Sequence, residues 1–276
     1  MDNFKIHFVV CGFQKCGTSS LADYLDRHQE IDFSDTKEPM HFLEVNHNSS
    51  NYKLYKSLFE KNGNLRGEAS TAYGFPYNSE YTAKALFDHN PEMKLIFLVR
   101  NPSNRVLSSL RHGQLRSSGK KTTFGQKLER AIANTQYGKV LKDYLNHFPS
   151  RNILVIKFED LINQKALPEI STFLNIQYDK NLTLDKVNIT AQKVTKAGWY
   201  RYYEKYHNFI LQIPLSKLIR QTIKSILLKT PDSNQDKKPN LVELTEKDKL
   251  KIEQSLIQDS VLFKDLIGFN YFDLTK

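Results

Sequence analysis

Cysteine is nearly absent from this chain: two residues, Cys11 and Cys16, in 276. A disulfide framework is thereby excluded. A four-ligand zinc site would have to recruit from eight histidines that show no ligand spacing, and no metal is expected. Long apolar runs are also missing. Stretches such as Ile6–Cys11 and Lys94–Arg100 fall far short of the ~20 apolar residues that a membrane span needs, and mean hydropathy is -0.53. The opening Met-Asp-Asn-Phe-Lys with its short apolar sequel reads as neither a secretory signal nor a span. With so few cysteines, a reducing cytoplasm is the expected location. Internal repeats and low-complexity tracts are lacking too.

What is present is ordinary globular composition, 39% hydrophobic, 12% aromatic and 25% charged, which excludes disorder as the main description. The length suits one large α/β domain, and residues 1–276 are read as a single domain. Forty Lys and Arg against thirty Asp and Glu leave a net charge of +10. That balance points to an anionic partner: nucleic acid, phospholipid, or a phosphorylated or sulfated small molecule.

Ile6–Cys11 is a short β-branched run closed by Gly12, the pattern of a buried parallel strand. Gly17-Thr18-Ser19-Ser20 then opens an amphipathic helix, so strand, Gly-bounded loop and helix follow in the order of a phosphate cradle. Lys94–Arg100 and Asn152–Phe158 predict two more buried strands. Helices are predicted from Arg105 to His112, over Gly125–Phe148 as one element, and over Leu167–Leu174. Strands alternating with helices indicate α/β architecture: a central parallel sheet flanked by helices. The last third is read as a helical elaboration, with a basic amphipathic helix at Leu211–Leu228 and a final helix capped by Thr245.

Two motifs carry chemistry. In Gly12-Phe13-Gln14-Lys15-Cys16-Gly17-Thr18-Ser19-Ser20 the glycines are spaced as in a nucleotide P-loop, but Thr18 stands where that loop has its lysine, and Lys15 lies inside the loop instead. The loop can offer N–H groups, hydroxyls and one ammonium to a phosphate. In Leu98-Val99-Arg100-Asn101-Pro102-Ser103-Asn104-Arg105-Val106-Leu107-Ser108, Arg100 sits at the carboxyl end of a buried strand, where open α/β sheets bind ligands. Arg100 with Ser108 suits a terminal phosphate.

These motifs resemble the 5′-phosphosulfate loop and the 3′-phosphate motif of sulfotransferases that use PAPS (3′-phosphoadenosine 5′-phosphosulfate), nearest to the glycosaminoglycan and bacterial branch. Lys37-Glu38-Pro39, Gly67-Glu68-Ala69-Ser70-Thr71-Ala72-Tyr73, Phe158-Glu159-Asp160-Leu161 and Lys196-Ala197-Gly198-Trp199 extend the resemblance along the chain. It implies a P-loop-like fold, PAPS as sulfuryl donor, PAP as product and no metal. Lys15, Cys16, Gly17, Thr18, Ser19 and Ser20 would hold the 5′ end, and Arg100 and Ser108 the 3′-phosphate. Lys193, Lys196 and Gly198 would add contacts, and Trp199 or Tyr200 would stack on adenine. Glu38 matches the family's general base, Lys15 would stabilise the leaving phosphate, and His41 is a second candidate base. Glycosaminoglycan relatives carry a histidine where Met40 stands and a lysine where Ala69 stands. The expected acceptor is therefore a hydroxyl or nitrogen of a small molecule, for instance a specialised metabolite such as a guanidinium alkaloid toxin. The alternatives are a carbohydrate or lipid-linked glycan, or a basic nucleotide-binding or membrane-surface protein without catalysis. Nucleic acid is not expected as a partner, and the Leu211–Leu228 helix leaves room for peripheral membrane association.

Overall fold

A computed structural model describes residues 4–45, 49–59, 65–116, 122–184 and 241–274. The chain divides into two compact units, Met1–Val187 with Val242–Lys276, and Asn188–Leu241; every described residue except Leu241 belongs to the first.

Five strands form one parallel sheet: β1 (Phe8–Gly12), β2 (Ile31–Phe33), β3 (Leu65–Ala69), β4 (Lys94–Val99) and β5 (Ile153–Lys157), in the order β2-β3-β1-β4-β5. The central strands β1 and β4 are almost wholly buried, as their unbroken apolar runs require. Helices connect them: α1 (Thr18–Asp26), α2 (Ser49–Lys56), α3 (Ser79–His89), α4 (Pro102–Arg116), α5 (Phe124–Ala133), α6 (Tyr137–Leu145), α7 (Phe158–Ile162), α8 (Leu167–Leu174) and α9 (Glu246–Ile267). From β1 the chain builds β2 and β3 on one side, then crosses to β4 on the other. The carboxyl ends of β1 and β4 therefore flank a topological switch point, where such sheets open a crevice.

Strands β2 and β3 escape a reading by apolar runs because each carries charge: Asp32 and Arg66 are register partners 3.7 Å apart, and Glu68 is wholly buried. The helix predicted over Gly125–Phe148 is two helices, and buried Arg105 supplies the reason. Its Nη1 donates to the Ala131 carbonyl at 3.1 Å and to Thr135 Oγ1 at 2.6 Å. Thr135 Oγ1 donates to that same carbonyl, while the Thr135 N–H turns to Ile132. The i→i−4 ladder is diverted there, and the chain restarts at Tyr137.

The C-terminal helix locks onto this restart. Thr245 and Asp248 form a capping box that begins α9 where expected. Farther along α9, Asp259 accepts the Gly138 and Lys139 N–H groups at 2.9 and 2.8 Å, capping the first turn of α6 from another element. A Cβ on Gly138 would lie 2.5 Å from the Asp259 carbonyl oxygen, so glycine alone permits this approach. The predicted helix at Leu211–Leu228 lies outside the described residues. Asp259→Ala should lower stability by about 1–2 kcal/mol, the usual worth of a cap, whereas Ile257→Ala on the exposed face of α9 should change it little. Denaturant midpoints at unchanged m measure both; equal midpoints for the two variants would contradict this docking.

Candidate active site

The loop after β1 is pinned at both ends. The Phe13 N–H donates to the Leu98 carbonyl of β4 at 3.0 Å, and the Cys16 N–H donates to the Phe13 carbonyl at 3.1 Å. Gly17 then adopts φ 94°, a left-handed conformation that favours glycine, as the residue preceding α1. Its carbonyl accepts from Ser20 and Leu21, and no side chain caps the helix. The first-turn N–H groups of Thr18 and Ser19 have no intrahelical acceptor by geometry, which makes this terminus suited to an anion. Lys15 is held in the loop at φ 72°. Thr18 and Ser20 are buried, and Ser19 is half-buried.

Cys16 departs from its expected role. Its side chain is fully buried, its Sγ lies 3.6 Å from Tyr137 Oη, and its N–H is spent inside the loop. Burial pushes its thiol above the ordinary range. Cys16 belongs to the floor of the loop.

Arg100 follows β4 directly. Its carbonyl accepts from Tyr137 Oη at 3.1 Å, and its guanidinium lies 4.2 Å from the centroid of the Phe158 ring. Among the described residues its buried Nε has no hydrogen-bond partner. An unmet guanidinium N–H is costly unless an acceptor meets it, and an anion at this strand end would do so. Buried Glu159 Oε2 is likewise unmet. Phe158 and Leu161 also wall the loop, since a Cβ on Gly17 would come within 3.2 and 3.1 Å of them. Thus α7, a Phe-Glu-Asp-Leu segment, packs against both the Gly17 loop and the Arg100 side chain. Asn101 fixes the strand exit: its Oδ1 accepts from Ser103 and caps α4, while its Nδ2 donates to the Leu274 carbonyl. Ser108 is half-buried two turns along α4.

The segment after β2 reaches the same place. Lys37 Nζ donates to Ser19 Oγ at 2.5 Å and lies 3.6 Å from Glu38 Oε1. The Glu38 carboxylate is thereby linked through one ammonium to the first turn of α1. Sequence reasoning named Lys37 but had no signal for the Ser19 contact, which joins residues 18 positions apart. His41 is placed differently. It is 4% exposed and its ring stacks on Tyr55 at 4.3 Å with 12° between planes, inside an aromatic cluster that includes Phe42 and Tyr52. Its role as an alternative base has no geometric support, because a ring held in a core cluster is not presented to an acceptor.

Behind Glu38 lies Glu68, buried at the end of β3. It accepts from Ser70 Oγ at 2.6 Å, Tyr55 Oη at 2.9 Å and Tyr73 Oη at 3.1 Å. Burial pushes its carboxyl up to about 7, the hydroxyls opposing and the Glu38 charge adding to the rise. Lys193, Lys196, Gly198 and Trp199, along with Tyr200, lie outside the described residues. No group of three or more potential metal ligands occurs among the described residues.

A raised carboxyl pKa means that the folded chain binds this proton more tightly than the unfolded one. The Glu68 contribution is complete below the ordinary carboxyl range and is lost as pH rises through about 7. A shift of this size corresponds to about 3 kcal/mol. The stability of wild type relative to Glu68→Gln should accordingly decline between pH 5 and pH 8. Urea titrations across that interval measure it, and a constant difference would mean that Glu68 titrates normally.

Comparisons with known proteins agree with one another. The family model described as "Sulfotransferase domain" matches residues 5–224. The Dictyostelium discoideum membrane-associated sulfotransferase kil1 is 36% identical over 107 residues, 37% of this chain and 22% of that protein. Mouse heparan sulfate glucosamine 3-O-sulfotransferase 5 is 24% identical over 61% of this chain and 53% of its own length. The chain thus spans about half, or less, of the curated relatives it matches. A solved sulfotransferase from Alicyclobacillus acidocaldarius superposes with a TM-score of 0.59 at 20% identity, covering 97% of both chains. A mouse sulfotransferase complexed with PAP gives 0.52 at 14% identity, over 98% of this chain and 91% of the other. Both likenesses concern the fold. Among the described residues no helix is long and apolar enough to cross a membrane.

Proposed function

Because the chain belongs to the sulfotransferase domain family, we propose that it moves a sulfuryl group from PAPS to a hydroxyl or nitrogen of a small-molecule acceptor, releasing PAP. The observation that carries this reading is the unmet Nε of Arg100, buried beside a Gly-bounded loop at the switch point of the sheet. A neighbour in fold is complexed with PAP, the product that this reaction requires.

In this reading the backbone of Gly17 and the first turn of α1, with Thr18, Ser19 and Ser20, hold the 5′-phosphate. Arg100 and Ser108 hold the 3′-phosphate. Lys15 meets the negative charge that builds on the bridging oxygen as its bond to sulfur breaks, the place where a fixed cation favours the transition state most. Glu38 takes the proton of the acceptor as the acceptor oxygen or nitrogen bonds to sulfur. Lys37 bridges base and cradle, so that both are oriented together. The cytoplasm is the proposed setting of this reaction.

The preference for a small acceptor rests on Met40 and Ala69. Neither supplies charge for a sulfated polymer, and Ala69 is fully buried with its carbonyl committed to the Glu38 N–H. An acceptor screen with isotopically labelled PAPS, read by mass spectrometry and including glycans and phenols, tests the activity directly; labelled product with no acceptor class would contradict it. With the acceptor found, Glu38→Gln should lower turnover by roughly 10²–10⁴-fold while PAP affinity holds. Lys15→Ala should weaken both binding and rate, because its charge serves both states. Wild-type turnover in Glu38→Gln would place the base elsewhere.

A further inference from the structure

The largest piece of chemistry that the proposed mechanism leaves unused is the buried carboxyl of Glu68. We propose that Glu68 is a positioning residue: through the hydroxyls of Ser70 and Tyr73 it fixes the backbone on the far side of Glu38 and so sets where the base stands. The inference rests on the reading of Glu38 as that base.

The wiring is continuous. Three alternate N–H groups of the segment are bound to β3 and the turn after it: Glu38 to the Ala69 carbonyl at 2.9 Å, Met40 to Ser70 Oγ at 3.1 Å, and Phe42 to Tyr73 Oη at 3.1 Å. A hydroxyl has one hydrogen to give. Ser70 and Tyr73, each accepting an N–H, both send that hydrogen to Glu68. The carboxyl therefore orients the two acceptors that hold the segment, and Tyr55 from α2 secures the carboxyl from its other side.

The segment needs such holding. Glu38 and Met40 stand at φ 60° and 54°, left-handed values that residues with a side chain adopt only where their surroundings over-determine them. A buried acid is also a costly way to fill space, since an apolar side chain of similar size would pack without desolvating a carboxyl.

Amide hydrogen exchange followed by NMR tests the wiring without any acceptor. Ser70→Ala should speed exchange at Met40, and Tyr73→Phe at Phe42, each by about tenfold or more, while Leu95 and Ile96 in β4 stay protected. Glu68→Gln should loosen both sites. The catalytic half uses the acceptor found in the screen. Tyr73→Phe should lower kcat by roughly 10²-fold, the cost of a misplaced group, at unchanged PAP affinity, and should cost nothing further in a Glu38→Gln background. Unchanged exchange at Met40 and Phe42, acceleration shared with β4, or an equal rate loss in both backgrounds would overturn the proposal. Failure of the underlying base reading is distinguishable, since full turnover would then appear in Glu38→Gln while its amide exchange stayed normal.

Discussion

A single hydrogen bond, from the Phe13 N–H to the Leu98 carbonyl, ties the loop that leaves β1 to the end of β4. It joins the two strands that flank the switch point, and the rest of the site is arranged around it. It seats the loop so that Gly17 can take its left-handed turn into α1, and it keeps that turn beside Arg100, two residues beyond Leu98. Tyr137 then stitches the pair from below, with its hydroxyl on the Arg100 carbonyl and near the Cys16 sulfur. Phe158 closes the other flank, under the guanidinium and against Gly17 at once. Tyr137 begins α6, whose first turn is capped by Asp259 of α9, so even the C-terminal helix contributes to the geometry of the loop.

A second constraint acts on the opposite side of β1. Glu68, Ser70 and Tyr73 form a buried polar layer at the end of β3, and the Lys37–Phe42 segment hangs from it by its backbone. Lys37 reaches across to Ser19. The first turn of α1 and the Glu38 carboxylate thus follow different strands and meet at one ammonium. Such a division lets the electrostatics of each half be set apart: N–H groups after β1 and a guanidinium after β4, with Glu38 after β2 and Glu68 on β3.

What was legible in the sequence follows what local chemistry can announce. Ile6–Cys11 and Lys94–Arg100 are apolar runs closed by Gly12 and by Asn101-Pro102, and the strands Phe8–Gly12 and Lys94–Val99 lie on them to within two residues at either end. The Thr245 cap is read equally well, because a capping box is spelled within four residues. Two strands were hidden by their charges: Asp32 and Arg66 pair across neighbouring strands, and Glu68 is buried among the hydroxyls of Tyr55, Ser70 and Tyr73. The break between α5 and α6 was hidden because Arg105, which causes it, lies 26 residues before the carbonyl it captures. Motifs singled out Lys15, Gly17, Arg100 and Glu38 as candidates for the site. Burial, which no motif states, assigned Cys16 and His41 to the core.

Membership of the sulfotransferase domain family accounts for the loop and the Arg100 strand end together, and the central claim is that this strand end reads a 3′-phosphate. The most direct measurement is calorimetry of wild type and Arg100→Ala with two ligands, PAP and adenosine 5′-phosphosulfate, which lacks the 3′-phosphate. The account predicts that the substitution weakens PAP by about 1.5–3 kcal/mol, the worth of a hydrogen bond to a charged group, and leaves adenosine 5′-phosphosulfate nearly unaffected. Equal losses for the two ligands would contradict it and make Arg100 a structural residue stacked on Phe158.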